Sequence, residues 1–257
     1  MLKERFIMKA LVTGASSGIG RDIARVLYKK GISVIISARS ADKLQSLKDE
    51  LGKDVKIIVC DLSAENGVYE LYEKTKSENI DILINNAGFG LFGNFSKTDL
   101  AREMQMVDLN VKALHILTKL FLKDFVKKDK GYILNVASSA GLMPGGPLMA
   151  AYYATKAYVV SLTNSIAEEL RQKGSGVSVS ALCPGPVDTN FNNTAGVSFS
   201  VKPLSSADVS RYAICKMFSK KQIIIPGVQM KCANFFKRFL TTKFLLKCAY
   251  NIQKRKK

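Results

Sequence analysis

The stretch "ALVTGASSGIGRDIARVL", residues 10–27, decides the fold. A short β-branched run ends at Thr13, glycines follow at positions 14, 18 and 20, and a helical pattern begins at about residue 19. Glycine at such a junction permits a tight turn and close backbone approach. The first turn of the helix then offers free N–H groups and the positive end of its dipole, a seat for a pyrophosphate.

Outward from this turn, strand and helix signals alternate. "SVIISAR", "VKIIVCDL", "IDILINNAG", "GYILNVASS", "VSVSALCPG" and "QIIIPG" read as further strands, and their continuous apolar character suits burial on both faces. Helices are predicted at about 19–30, 40–51, 64–78, 99–127, 152–173 and 206–219. The alternation predicts an α/β fold, a Rossmann-type doubly wound parallel sheet of about seven strands in a single domain. Residues 186–206, rich in Asn, Ser, Thr and Gly, form the one long irregular stretch and read as a lid or binding loop.

With 257 residues and 47% hydrophobic content, the chain can bury a full core. The N-terminal stretch lacks the pattern of a secretory leader, and no run of eighteen apolar residues occurs, so the expectation is a cytoplasmic protein that does not span a membrane. Five scattered cysteines read as reduced, buried thiols. The one histidine, His115, has no neighbouring ligands in its apolar helix and reads as a packing residue; no metal is expected. The net charge of +18 is unevenly placed, because residues 209–257 hold 13 basic residues and no acid. Such a segment either faces something acidic or is solvated.

The spacing T-G-x-x-x-G-x-G in "TGASSGIG" at 13–20 resembles that of the classical short-chain dehydrogenase/reductase family. The resemblance continues, in the family's order, through "NNAG" at 85–88, Asn110 in "DLNV", "NVASSAG" at 135–141, Tyr152 with Lys156, and "PGPVDT" at 184–189. It implies a nicotinamide cofactor held by Gly14, Ser16, Ser17, Gly18, Ile19 and Gly20, with Asp61 and Leu62 beside adenine and Asn86, Ala87 and Gly88 along the adenosine. Pro184, Gly185, Val187 and Thr189 resemble the segment at the nicotinamide end. The second strand ends in Ala38 and Arg39 with no acid, which favours NADP(H) over NAD(H): a guanidinium can pair with a 2′-phosphate, and Ser16, Ser17 and Ser40 can add hydroxyls. On this basis residues 1–230 are expected to form the NADP-binding catalytic domain and 231–257 a basic amphipathic C-terminal extension.

Reducing a ketone leaves an alkoxide that an acid must protonate. A tyrosine can do so if its pKa falls from about 10 toward neutrality, as a nearby lysine ammonium favours. In "AAYYATKAY", residues 150–158, Tyr152 is four positions and Tyr153 three positions before Lys156, and both spacings bring side chains onto neighbouring helix faces. The family pattern Y-x-x-x-K selects Tyr152. The family's serine lies thirteen residues before its tyrosine, which points to Ser139; Ser138 then reads as a strand-end serine and Tyr153 as a packing or pocket-lining residue. By the same resemblance Lys156 binds the ribose and Asn110 supports a proton relay.

Leu142, Met143, Leu148, Met149, Phe191 and Phe199 are candidates for an apolar substrate pocket suited to a steroid-like or acyl ketone. The activity implied is interconversion of a ketone and a secondary alcohol, with a 3-oxoacyl-thioester reductase as the second enzyme reading and a non-catalytic nucleotide sensor or scaffold as the third. The extension sets Phe235, Phe236, Phe239, Leu240 and Phe244 among Lys237, Arg238, Lys243 and Lys247. That pattern fits either a helix packed on the domain or peripheral contact with an anionic membrane. Nucleic acid is not an expected partner, because no recognition fold accompanies the charge. The resemblance also implies a homodimer or homotetramer formed through the helices at 99–127 and 152–173.

Overall fold

The computed structural model describes residues 8–189 and 203–254. Its centre is a seven-stranded parallel sheet made of β1 (Lys9–Thr13), β2 (Ser33–Ala38), β3 (Lys56–Val59), β4 (Ile82–Asn85), β5 (Gly131–Val136), β6 (Val177–Leu182) and, last in chain order, a short strand at Ile223–Ile224. The spatial order is β3-β2-β1-β4-β5-β6 followed by that short strand. The order reverses between β1 and β4, which opens a crevice at the carboxyl ends of the strands.

Each strand sends alternate residues into opposite layers. Val12, Ile36, Ile84, Leu134 and Leu182 pack on one face with Ile23 and Leu27 from α1 (Gly18–Lys29). Leu11, Ile35, Leu83, Ile133 and Val179 pack on the other with Leu71, Leu117, Phe121 and Phe125. Burial on both faces is why these strands read as unbroken apolar runs. Among the polar side chains inside the sheet layer, Asn85 donates to Asn135 Oδ1 at 2.9 Å, and Asn135 donates to Thr163 Oγ1 at 3.0 Å, so both amide nitrogens are paired.

The remaining helices are α2 (Ala41–Leu51), α3 (Gly67–Thr75), α4 (Leu100–Val107), α5 (Leu114–Lys128) and α6 (Ala150–Gln172). The predicted helix at 64–78 is thus shorter, closing in a 3-10 turn at Lys76–Glu78. The predicted helix at 99–127 is α4 and α5 joined by a π-helical stretch, Asp108–Ala113, which carries Asn110. Of the irregular stretch, Val187–Asp188 pairs in parallel with Leu204–Ser205, numbered β7 and β8, with the Ile223–Ile224 strand becoming β9. Residues 190–202, with Phe191 and Phe199, lie outside the described residues.

After α7 (Ser206–Phe218) and β9 the chain forms α8 (Val228–Phe236), a 3-10 turn, and α9 (Thr242–Lys254). The boundary expected after residue 230 falls inside α8. Two readings of single residues are corrected. His115 is exposed rather than packed: only the α5 face opposite it is apolar, and its Nδ1 lies 2.7 Å from the Tyr158 hydroxyl on α6. Of the five free cysteines, Cys60 and Cys183 are buried, but Cys215 and Cys232 sit on the solvent faces of α7 and α8.

Candidate active site

A cleft of about 360 Å³ runs along the carboxyl edge of the sheet. At one end stands the glycine turn. Gly14 and Gly18 adopt φ of 64° and 55°, a left-handed backbone that side chains disfavour. A Cβ on Gly14 would lie 2.8 Å from the Ala87 backbone, and one on Gly18 would meet the Thr189 side chain. Ser17 at the N-cap of α1 makes no side-chain capping bond, so it leaves the N–H groups of the first turn to a ligand. Such a cradle fits the pyrophosphate of a dinucleotide.

The motif residues around it divide into lining and support. Ser16, Ser17, Ile19, Arg39, Asp61, Leu62, Ala87, Gly88, Pro184, Gly185, Val187 and Thr189 line the cleft, together with Gly14 and Gly18. Gly20 does not: it admits Asn86, whose amide would lie 2.3 Å from a Cβ there. Asn86 lines the cleft as well, but its amide nitrogen donates to the carbonyls of Thr13 and Gly14, both at 3.1 Å, and so fixes the turn. The Thr13 hydroxyl accepts from the backbone N–H groups of Asn86 and Ala87. Arg39 projects into solvent at the rim, its guanidinium 3.8 Å from the Asp61 carboxylate. Two hydrogen bonds from Ser63 and the nearby Arg39 favour the Asp61 carboxylate enough to outweigh burial, and its pKa is lowered.

At the other end α6 brings Tyr152 and Lys156 to the floor of the cleft, 8% and 5% exposed. Lys156 Nζ donates to the Val136 carbonyl at 2.8 Å and lies 6.0 Å from the centre of the Tyr152 ring. Burial pushes the Lys156 ammonium down to about 8. It pushes the Tyr152 phenol up to about 12, with a hydrogen bond to Ser138 acting in the opposite sense. Burial, rather than the lysine, is thus the leading influence on the Tyr152 phenol.

The two adjacent serines take different places. Ser139 lines the cleft, yet the hydroxyl hydrogen-bonded to Tyr152 is that of Ser138, fourteen residues before it. Ser138 is extended, with φ −170° and ψ 160°, and consecutive side chains on such a backbone point apart, so one serine faces the tyrosine. Ser139 begins the 3-10 turn Ser139–Leu142, where its N–H donates to the Pro184 carbonyl at 2.8 Å. A count through the irregular loop from 143 to 149 cannot fix the register, since one residue more displaces neither the strand nor the helix.

Asn110 lies behind the cleft wall rather than on it. Its Nδ2 donates to the Phe89 carbonyl at 2.9 Å and to Thr155 Oγ1 at 3.2 Å, and its Oδ1 accepts from the Phe89 N–H at 3.1 Å. Those bonds tie the loop after β4 to α6, one residue from Lys156. Of the substrate candidates, Met149 lines the cleft; Leu142 instead packs toward Val159 and Cys183, and Met143 and Leu148 are not among the lining residues. Phe89, Arg102, Tyr153 and Gln253 line it as well, and three of these were not foreseen. Gln253 is far away in sequence, so only tertiary structure could reveal it.

The fold and this constellation define a nicotinamide-dependent oxidoreductase of the Rossmann type. The family model described as short chain dehydrogenase matches residues 8–197, and the chain belongs to that family. It is 36% identical over 190 residues to the 3-oxoacyl-acyl-carrier-protein reductase FabG of Rickettsia prowazekii, covering 72% of this chain and 74% of the relative. Among solved structures, a short-chain dehydrogenase from Sphingobium yanoikuyae in complex with NADPH is similar with a TM-score of 0.80 and 27% identity over 91% of this chain and 95% of that one. A 3-ketoacyl-(acyl-carrier-protein) reductase from Brucella melitensis complexed with NADH gives a TM-score of 0.76 and 27% identity over 85% and 96%. The family acts on carbonyl and alcohol groups with a nicotinamide cofactor.

Proposed function

We propose that the protein is an NADP(H)-dependent reductase that interconverts a hydrophobic ketone and its secondary alcohol. The observation that carries this reading is that Ser138, Tyr152 and Lys156 line the same cleft that begins at the glycine turn. When bound, the reduced nicotinamide supplies the hydride. The Ser138 hydroxyl holds the substrate oxygen beside the Tyr152 phenol, which gives its proton to that oxygen as the carbonyl carbon is reduced. Lys156, turned from the Val136 carbonyl toward the cleft, stabilises the tyrosinate and returns a proton to it. Asn110 keeps the loop after β4 and α6 in register around these groups. NADP(H) is favoured by Arg39 and by the absence of a carboxylate at the end of β2.

An NADPH-oxidation screen over cyclic ketones, aryl ketones and 3-oxoacyl thioesters tests the reading. Turnover of free ketones is expected; turnover of thioesters alone favours the second enzyme reading, to which the acyl-carrier reductases among its relatives lend weight. Tight NADPH binding without turnover of any of them rules out the enzyme and leaves a sensor. We further propose a homo-oligomer through the exposed faces of α5 and α6.

The extension gives the partner reading its own observation. α9 packs on the domain, burying Ala249 and Gln253, whereas α8 and the turn after it leave Phe235, Phe236 and Phe239 exposed, Phe239 by 74%. The three rings stack edge to face beside Arg238. Apolar rings amid cations fit an anionic lipid surface. Co-sedimentation with phosphatidylserine vesicles is expected for the wild type and not for the Phe235→Ser, Phe236→Ser, Phe239→Ser triple variant; equal recovery of the two overturns this reading.

A further inference from the structure

The substrate end of the cleft is closed by a part of the chain that the family motifs do not reach. Lys237 donates to the Leu142 carbonyl, and Met230 packs under Gly185. The two glycines of "PGGP" admit the other contacts: a Cβ on Gly145 would lie 3.1 Å from Leu246 of α9, and one on Gly146 would stand 2.3 Å from the Tyr153 ring. These contacts bring the last turn of α9 against the site, where Gln253 is 1% exposed and lines the cleft.

Gln253 Nε2 donates to the Tyr153 hydroxyl at 2.8 Å. Its Oε1 is buried and has no partner among the described residues. A buried amide oxygen left without a donor is costly, and the great majority in folded proteins are satisfied. The Tyr153 ring stands edge to face with that of Tyr152, centroids 6.2 Å apart, so one ring separates Gln253 from the proposed proton donor.

We propose that Gln253 Oε1 is a substrate subsite, and that the substrate is a ketone bearing a second hydrogen-bond donor, a hydroxyl or N–H group, on the side away from the reacting carbon. This rests on the carbonyl-reductase reading above and narrows it. The C-terminal helix thereby sets specificity for a site whose chemistry belongs to α6 and the turn after β5. An analogue lacking the donor leaves the acceptor buried and unpaired, a penalty that polar subsites convert into selectivity.

The matched probes are m-hydroxyacetophenone and m-methylacetophenone, alike in shape but only the first a donor. Two readouts are taken: kcat/KM with NADPH, and the dissociation constant of each probe from the NADP+-loaded protein. The wild type is expected to favour the hydroxyl probe by about tenfold or more in both. Gln253→Met should bring the ratio close to one, and Gln253→Glu, which keeps an acceptor, should retain the preference and so exclude a general disturbance of α9. A wild-type binding ratio near one, absence of binding by the hydroxyl probe up to its solubility, or a preference that survives Gln253→Met overturns the proposal. Absence of turnover with any ketone defeats the carbonyl-reductase reading instead, and the binding ratio still decides the subsite.

Discussion

The two ends of the cleft are built differently. The cofactor end is made from backbone: positive-φ glycines, a helix N-terminus, and the Thr13 and Asn86 side chains that lock adjacent turns together. The substrate end is made from side chains that arrive from distant places, with Met149 and Tyr153 before and on α6 and Gln253 on the last helix. Backbone constraints leave short fixed-spacing motifs in a sequence; a pocket assembled by packing leaves none. The proposed proton transfer sits where the two meet, at Tyr152.

This contrast can be broken at several points. The largest effect should come from the serine pair. Ser138→Ala is expected to lower kcat by about 100-fold or more, as the loss of one donor to a developing oxyanion does, with Ser139→Ala within about fivefold of wild type. Steady-state kinetics on one ketone decides it, and an exchange of the two phenotypes would restore the register counted along the chain. Next, Arg39→Ala should raise the NADPH dissociation constant by about 10- to 100-fold and leave that of NADH nearly unchanged, the signature of a lost 2′-phosphate contact. Fluorescence titration of the bound nicotinamide reads both constants.

A smaller effect is expected from pH. With Lys156 held down to about 8, its ammonium form is complete below that pH and disappears above it. The kcat/KM for reduction should be flat at lower pH and fall as pH rises through about 8; a fall on the acid side alone would mean that the cationic lysine has no part in the step. Smallest is a stability effect at the junction of the two ends. Gly146→Ala places a methyl group against the Tyr153 ring and should cost about 1–3 kcal/mol, a drop in Tm of several degrees by calorimetry. An unchanged Tm would mean the loop does not bear on that ring.

The same contrast explains what the sequence made legible. All seven sheet strands and the helices from residue 18 to 218 followed from apolar periodicity, because burial on both faces of a parallel sheet writes itself as unbroken β-branched runs. That the glycine turn, Arg39, Tyr152 and Lys156 lie along one cleft also followed, each being tied to a strand end or a helix spacing. The orientation of Ser138 was less legible, since a count across the loop from 143 to 149 carries no geometric constraint while the extended backbone at the end of β5 does. The π-helical stretch at Asn110 and the division of the tail into two helices lie beyond any single-helix pattern. Gln253 belongs to no motif, and the fold alone brings it to the cleft and buries it.

The most direct measurement of the central claim returns to "AAYYATKAY". Turnover of a ketone and NADPH affinity are measured for wild type, Tyr152→Phe and Tyr153→Phe. Tyr152→Phe should lose turnover by about 100-fold or more, the usual scale of a lost proton donor, while binding NADPH nearly as tightly as wild type, and Tyr153→Phe should keep substantial turnover. Exchange of those two results, or a Tyr152→Phe enzyme as fast as wild type, would contradict the assignment of proton transfer to Tyr152.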